Sequence, residues 1–139
     1  MKILSYNTNG IRAAISKGLI EFIAKGDYDI VCIQETKAER EQVNTEGFEA
    51  LGYHHFWLSA EKKGYSGVAI FSKIKPQAVH TRMNNGKNYD SEGRVIRADF
   101  GHWSLLNIYF PSGTSGDERQ DVKMVILEDI FSWVSDLRK

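Results

Sequence analysis

The stretch KILSYNTNGIRAAISKGLIEFIAKGDYDIVCIQE, residues 2–35, decides the fold class. Lys2–Tyr6 has the composition of a short strand, and a turn-forming segment follows it. The next apolar residues recur at helical spacing and share one face: Ile11, Ala14, Ile15, Leu19, Phe22 and Ile23. Gly26 ends that helix, and Asp29–Gln34 is nearly all apolar, as in a strand covered on both faces. The stretch therefore predicts a β-α-β unit with two parallel strands.

Downstream of this unit the pattern predicts further strands and a closing helix. Residues 38–52 are polar and predict a short helix and a turn. The predicted strands are His54–Leu58, Val68–Ser72, Gln77–Arg82, Arg94–Phe100 and Trp103–Phe110. We expect the third of these to neighbour the second across the turn at Pro76, and the last two to form a hairpin. A polar loop covers residues 83–93, and the helix begins at Asp117. This order indicates an α+β fold with a mixed β-sheet and flanking helices.

Composition limits the function classes. The chain has 139 residues, of which 42% are hydrophobic and 26% charged, as in an ordinary globular protein. Eighteen basic residues balance eighteen acidic ones, so any basic patch for nucleic acid must be local. No apolar run approaches the ~20 residues of a membrane span. The single cysteine, Cys32, excludes an internal disulfide and predicts a buried, inert thiol. With no signal-like segment at its start, we expect a cytoplasmic protein.

Polar residues stand where the predicted strands end. Asn7 and Glu35 follow the two parallel strands, so they share one sheet edge, and their oxygens suit Mg²⁺. An exposed glutamate and a turn asparagine fit the same spacing. Tyr109 could donate to a phosphate or simply pack its ring. The loop that contains Ser112 and Gly113 suits an anion but is equally consistent with a plain loop.

Five segments taken in chain order carry a stronger signal: Ile3–Arg12, Gln34–Lys37, Ala60–Ala69, Glu92–Arg94 and Asn107–Gly113. Together they resemble the exodeoxyribonuclease III type of apurinic/apyrimidinic (AP) endonuclease, within the endonuclease/exonuclease/phosphatase superfamily. The asparagine and glutamate alone point only to the superfamily. The Glu-Thr-Lys step and the Lys63–Gly67 segment narrow the resemblance to the DNA-repair branch.

The resemblance implies a role for each matching residue. Glu35 ligates the catalytic Mg²⁺, for which Mn²⁺ could substitute, and Asn7 lies beside it, orienting a ligand or a catalytic carboxylate. Tyr109 faces the scissile phosphate. Six residues border the DNA groove: Lys37, Lys63, Ser66, Arg94, Ser112 and Gly113. The implied reaction is hydrolysis of double-stranded DNA 5′ to an abasic site, and 3′→5′ exonuclease and 3′-phosphodiesterase activities are compatible with it.

The resemblance also implies what these 139 residues lack. The family fold is a four-layer α/β/β/α sandwich, of which residues 1–139 supply about the N-terminal half. A Gly-Asp-x-Asn segment and a Ser-Asp-His segment, which carry further catalytic and metal groups, are absent; after Gly26-Asp27 and Gly116-Asp117 the asparagine is missing. We therefore expect the chain alone to be inactive on DNA. We also expect an exposed apolar sheet face, which would pair with the missing C-terminal half or a second copy.

Two other functions remain open at the level of sequence. The chain could be a non-catalytic half-domain that binds DNA or a protein partner. It could also carry another superfamily chemistry, such as phospholipid or inositol-phosphate cleavage, although the Lys62–Ala69 segment argues against this.

Overall fold

Two β-sheets and three short α-helices make up the part of the chain that the computed structural model describes, residues 1–81 and 93–110. In chain order the elements are β1 (Ile3–Asn7), α1 (Ile11–Ser16), α2 (Leu19–Gly26), β2 (Ile30–Gln34), a 3-10 turn (Arg40–Gln42), α3 (Glu46–Ala50), β3 (His54–Leu58), β4 (Val68–Ser72), β5 (Ala78–His80), β6 (Val95–Asp99) and β7 (Ser104–Ile108).

The larger sheet has the strand order β1-β2-β4-β3. β1 and β2 run parallel, with Asn7 opposite Gln34, and the other two pairings are antiparallel. The smaller sheet is antiparallel, in the order β5-β6-β7. The predicted parallel unit, the β6-β7 hairpin and the mixed α+β class are therefore confirmed.

The larger sheet buries a different apolar cluster on each face. On one side α1, α2 and α3 pack through side chains such as Ile23 and Phe48, and the Phe48 ring centroid lies 4.2 Å from that of Phe71 in β4. On the other side Cys32 and Ile70 pack against Ile96 of the smaller sheet. The described residues thus form three layers: helices, sheet and sheet. Cys32 is buried, as predicted, and burial raises the pKa of its thiol to about 11.

The smaller sheet corrects two expectations. β5 pairs with β6 and not with β4, so the segment at Pro76 leads into a second sheet. That sheet covers β2, β4 and β3 on the face of the larger sheet that we expected to be exposed, and the side chains of Val68 and Ile70 there are fully buried. Ile3 of β1, which lies beside Ile30 on the same face, is 45% exposed. The expectation was therefore wrong for most of the face, because strand pattern predicts which residues are apolar, but not which sheet they join.

The first helical region is also divided, in contrast to the single predicted helix. Gly18 has φ +104°, a left-handed conformation that ends α1 and starts α2 in a new direction. Ile11 of α1 and Ile23 of α2 are both buried, but Phe22 of α2 is 55% exposed. The helical period placed Phe22 on the apolar face only if the helix ran on without a break.

Several predicted features lie outside the described residues. These are most of the polar loop, the Glu92 position, the loop with Ser112 and Gly113, and the helix from Asp117. Within residues 1–81 and 93–110, no helix has both the length and the apolar content needed to cross a membrane.

Asp99 at the end of β6 organises the outer face of the smaller sheet. Its carboxylate accepts two hydrogen bonds of 2.8 Å from Arg97 and one of 2.6 Å from Ser104, and His80 Nε2 lies 3.0 Å away. These donors, with Arg97 contributing most, hold the pKa of Asp99 well below its usual range. A depressed carboxyl pKa stabilises the fold above the unfolded-state pKa, and that stability is lost as the pH falls.

We expect Asp99→Asn to lower the free energy of unfolding by about 1–2 kcal/mol at pH 7. The difference from wild type should shrink as the pH falls below about 4, where Asp99 binds a proton in the unfolded chain but stays charged in the folded one. Urea unfolding at a series of pH values measures both effects. Asp27→Asn is the matched control, because the Asp27 side chain is 86% exposed and pairs only with Lys73 among described residues. An equal pH dependence in both variants would contradict the prediction.

Candidate active site

The loops after β1 and β2 are joined by main-chain hydrogen bonds at one edge of the larger sheet. Gly10 N–H donates to the Glu35 carbonyl over 2.8 Å, and Ile11 N–H donates to the Thr36 carbonyl over 2.9 Å. The Thr8 hydroxyl adds a 3.0 Å bond to the Glu35 carbonyl. The two predicted site segments therefore lie side by side, as their positions after parallel strands indicated.

Two further segments attach to the same edge. Thr36 N–H donates to the Gly67 carbonyl over 3.1 Å, and Lys37 N–H donates to the Ser66 carbonyl over 2.8 Å. Gly67 N–H in turn donates to the Gly93 carbonyl over 3.1 Å. The segment before β4 thus connects the end of β2 to the segment that precedes β6 of the smaller sheet.

Tyr109 completes the line of contacts, because its N–H donates to the Arg94 carbonyl over 2.8 Å. We call the connected set the seam. It consists of Thr8–Ile11, Glu35–Lys37, Ser66–Gly67, Gly93–Arg94 and Tyr109. All five segments singled out in the sequence contribute to it, although up to a hundred residues separate them along the chain.

A hydrogen bond between Tyr109 and Glu35 lies at the centre of the seam. The phenol donates to Glu35 Oε1 over 2.5 Å, and both side chains are partly buried. Burial, followed by the bond to Glu35, raises the pKa of Tyr109 to about 12. The phenol therefore keeps its proton at neutral pH and remains a hydrogen-bond donor at the site.

The donor set suits a hard divalent cation. Asn7 is exposed, directly opposite Gln34 in the β1-β2 ladder, and its Oδ1 accepts the Asn9 N–H over 2.9 Å. A carboxylate and an amide oxygen are typical Mg²⁺ ligands. Within the described ranges, no three His, Cys, Asp or Glu side chains cluster as a metal site. Glu35 and Asn7 would therefore share a cation with water or a substrate phosphate.

Backbone strain is concentrated in the seam. Asn9, Glu35, Lys37 and Ser66 all have φ between +47° and +55°, a left-handed conformation that non-glycine residues seldom adopt. Such a conformation costs on the order of 1–2 kcal/mol per residue. Strained residues that the surrounding structure holds in place are typical of functional sites.

Arg94 and Ser66 are the buried members of the seam, with exposures of only 3% and 2%. Arg94 donates to the Tyr65 hydroxyl over 2.7 Å and to the Tyr109 carbonyl over 3.3 Å, and its guanidinium lies 5.1 Å from the Tyr109 ring centroid. The Ser66 hydroxyl donates to the Gly93 carbonyl over 3.2 Å. Both residues support the site from within; their predicted contact with DNA stays a prediction.

The two candidate lysines differ in setting. The Lys37 ammonium donates to Asn9 Oδ1 over 2.6 Å, which fixes it beside the β1 loop. Lys63 lies in an exposed loop, next to Lys62, whose ammonium is 5.3 Å from the Tyr65 ring centroid. Both therefore put positive charge near the seam. Ser112 and Gly113, the remaining predicted contacts, lie outside the described residues.

Two residues at the site escaped the sequence reasoning as individual candidates. Tyr65 holds the buried Arg94, and Asn9 holds Lys37. Both lie inside the five segments that carry the family resemblance, so the sequence did indicate their region. Their roles depend on partners far away in sequence, which no local spacing reveals.

Comparison with known proteins gives a consistent result. The model of the Endonuclease/Exonuclease/phosphatase family matches residues 4–117. An exodeoxyribonuclease of Bacillus subtilis is 38% identical over 138 residues, covering 99% of this chain and 53% of that protein.

Solved structures agree with the sequence match. An AP endonuclease from Archaeoglobus fulgidus superposes with a TM-score of 0.85 at 30% identity, covering 98% of this chain and 51% of its own. The 3′ phosphatase NExo from Neisseria, bound to a product DNA hairpin, gives 0.86 at 25% identity, covering 99% and 52%. The chain thus spans about half the length of the relatives it matches.

Proposed function

The chain belongs to the endonuclease/exonuclease/phosphatase family, and we propose that it forms the N-terminal half of a DNA-repair phosphodiesterase that cleaves 5′ to abasic sites. The observation that carries the proposal is the Tyr109–Glu35 contact, which joins a hydrogen-bond donor and a carboxylate that are 74 residues apart in the chain. The half-domain assignment to residues 1–139 rests on the resemblance and on the half-length match to relatives.

Five residues in or beside the seam have a defined task in this proposal. Glu35 and Asn7 would hold the divalent cation, Mg²⁺ or Mn²⁺, which would neutralise phosphate charge and stabilise the leaving 3′-oxygen. Tyr109 keeps its proton at Oη, and in the substrate complex its hydroxyl would donate to the scissile phosphate in place of Glu35. The hydrogen bond to Asn9 orients the Lys37 ammonium. Together with Lys63, Lys37 attracts the DNA backbone.

Substrate choice follows from the same contacts. Lysines and backbone N–H groups fix the register of DNA without reading its sequence, as a lesion enzyme requires. An abasic sugar has no base to unstack, so its extrusion costs less than flipping a paired nucleotide. We therefore propose double-stranded DNA with abasic sites as the substrate, in a reducing compartment such as the cytoplasm.

The general base is not among the residues of the seam. The resemblance assigns water activation to a Gly-Asp-x-Asn segment, which is absent from these 139 residues. We propose that a C-terminal half supplies it.

The test is nicking of a duplex that contains one abasic site. The purified chain is assayed with Mg²⁺, with EDTA, and after addition of the remainder of the Bacillus subtilis relative. We expect no nicking by the chain alone and EDTA-sensitive nicking in the complemented mixture. A complemented mixture that binds DNA but never nicks it would favour a non-catalytic half-domain. Nicking by the chain alone would mean that these residues, alone or paired with a second copy, assemble a working site.

A further inference from the structure

Asn107 is a polar residue buried between the two sheets. It lies in β7, flanked in sequence by Leu106 and Ile108, and is 2% exposed. Its Nδ2 donates to the main-chain carbonyls of Ile33 in β2 and Ala69 in β4, over 3.0 and 2.8 Å. One side chain of the smaller sheet thus bonds to two neighbouring strands of the larger sheet.

Gln34 extends this network to a third strand. Its Nε2 donates to Asn107 Oδ1 over 2.7 Å and to the Ser5 hydroxyl of β1 over 3.0 Å. Asn107 therefore uses both ends of its amide, and through Gln34 it is linked to the strand that ends at Asn7. The strands that bear the candidate metal ligands and the strand that bears Tyr109 share one connected set of side-chain hydrogen bonds.

Apolar packing alone does not fix how two sheets sit on each other. The hydrophobic effect is non-directional, so the contacts of Cys32 and Ile70 with Ile96 permit small sliding movements. Hydrogen bonds of 2.8–3.0 Å with defined donors and acceptors permit far less, especially in a buried setting. An asparagine in this position costs more to bury than leucine, which suggests that its directionality matters.

We propose that Asn107 is a positioning residue that sets where Tyr109 stands relative to Glu35. Only Ile108 separates Asn107 from Tyr109, and Gln34 directly precedes Glu35, so the network fixes the chain on both sides of the Tyr109–Glu35 contact. The importance of this contact for catalysis rests on the proposed function, but the positioning itself does not.

The test follows the ¹³Cζ signal of Tyr109 at pH 7 by NMR of ¹³C-labelled tyrosine, with Tyr109→Phe to assign the signal. In wild type the hydrogen bond from the phenol to the Glu35 carboxylate should displace this signal from that of Tyr6, which is 47% exposed. We expect Asn107→Leu to move the Tyr109 signal toward that of Tyr6 by about half of the difference, because the hydrogen bond weakens when the two side chains no longer meet.

Gln34→Met provides a second variant, since Gln34 is partly exposed and the change removes only one arm of the network. It should move the Tyr109 signal in the same direction and by less, even if Asn107→Leu fails to fold. Phe48→Leu, in the opposite core cluster, is the control for general loosening and should leave the signal unchanged.

A wild-type Tyr109 signal in folded Asn107→Leu, or in Gln34→Met, would overturn the proposal. So would an equal shift in Phe48→Leu. None of these readouts requires nuclease activity, so failure of the proposed function would appear separately, in the nicking assay.

Discussion

Glu35→Gln is expected to reduce metal-dependent nicking by the complemented mixture by about 10²–10³-fold or more. Glutamine keeps the shape of the side chain but removes the negative charge that would bind a cation and that accepts the hydrogen bond from the Tyr109 hydroxyl at 2.5 Å. No cluster of acidic or histidine ligands among the described residues is available to replace it. Binding of Mn²⁺, followed by electron paramagnetic resonance, should weaken in parallel with nicking.

The matched control for this change is Glu61→Gln. Glu61 is an exposed glutamate in the loop before Lys62, so its replacement alters the net charge by the same amount. It should leave cation binding within about twofold of wild type, as expected for a solvated surface charge. If Glu35→Gln bound Mn²⁺ as tightly as Glu61→Gln, the assignment of Glu35 as the metal ligand would be wrong.

Gly93→Ala is expected to cause the largest loss of stability of any single methyl addition in the seam. A Cβ at Gly93 would stand 2.6 Å from the Ala60 nitrogen and 2.8 Å from the Ser59 carbonyl carbon, and its φ of +62° disfavours any side chain. Both obstacles are backbone atoms, which cannot rotate away. We expect the free energy of unfolding, measured with urea, to fall by about 3 kcal/mol or more.

Gly52→Ala separates the two causes of that loss. Gly52 also has a positive φ, +93°, but a Cβ there meets nothing within 4 Å. Its replacement should cost only the conformational strain, about 1–2 kcal/mol. Equal losses in the two variants would mean that the close approach of Gly93 to the Ser59–Ala60 backbone contributes nothing.

Local sequence patterns predicted much of the fold. The alternation and apolar runs predicted β3 and β4 at their observed bounds, and the β-α-β stretch predicted the parallel pair that brings Asn7 and Glu35 to one edge. The pairing of β5 was not predictable in this way. A three-residue strand has too few side chains to specify a partner, so the packing of the whole chain decides which sheet it joins.

The chemistry of the site was predictable from the sequence, but the burial of its residues was not. Glu35 and Tyr109 could be named from strand ends and the family resemblance, and they do meet. The family resemblance placed Arg94 at the border of the DNA groove but did not indicate that it is buried. Its burial depends on Tyr65 and Tyr109, whose rings and oxygens surround the guanidinium from distant parts of the chain.

The seam has a consequence for how such a site can evolve. Most of its links run from one peptide N–H to another residue's carbonyl, for example between Lys37 and Ser66. Peptide groups are the same at almost every position, so these links survive when side chains are exchanged. A lineage can therefore replace the residues that meet the substrate while the frame that holds them persists. A family that spans endonucleases, exonucleases and phosphatases is what such a frame would permit.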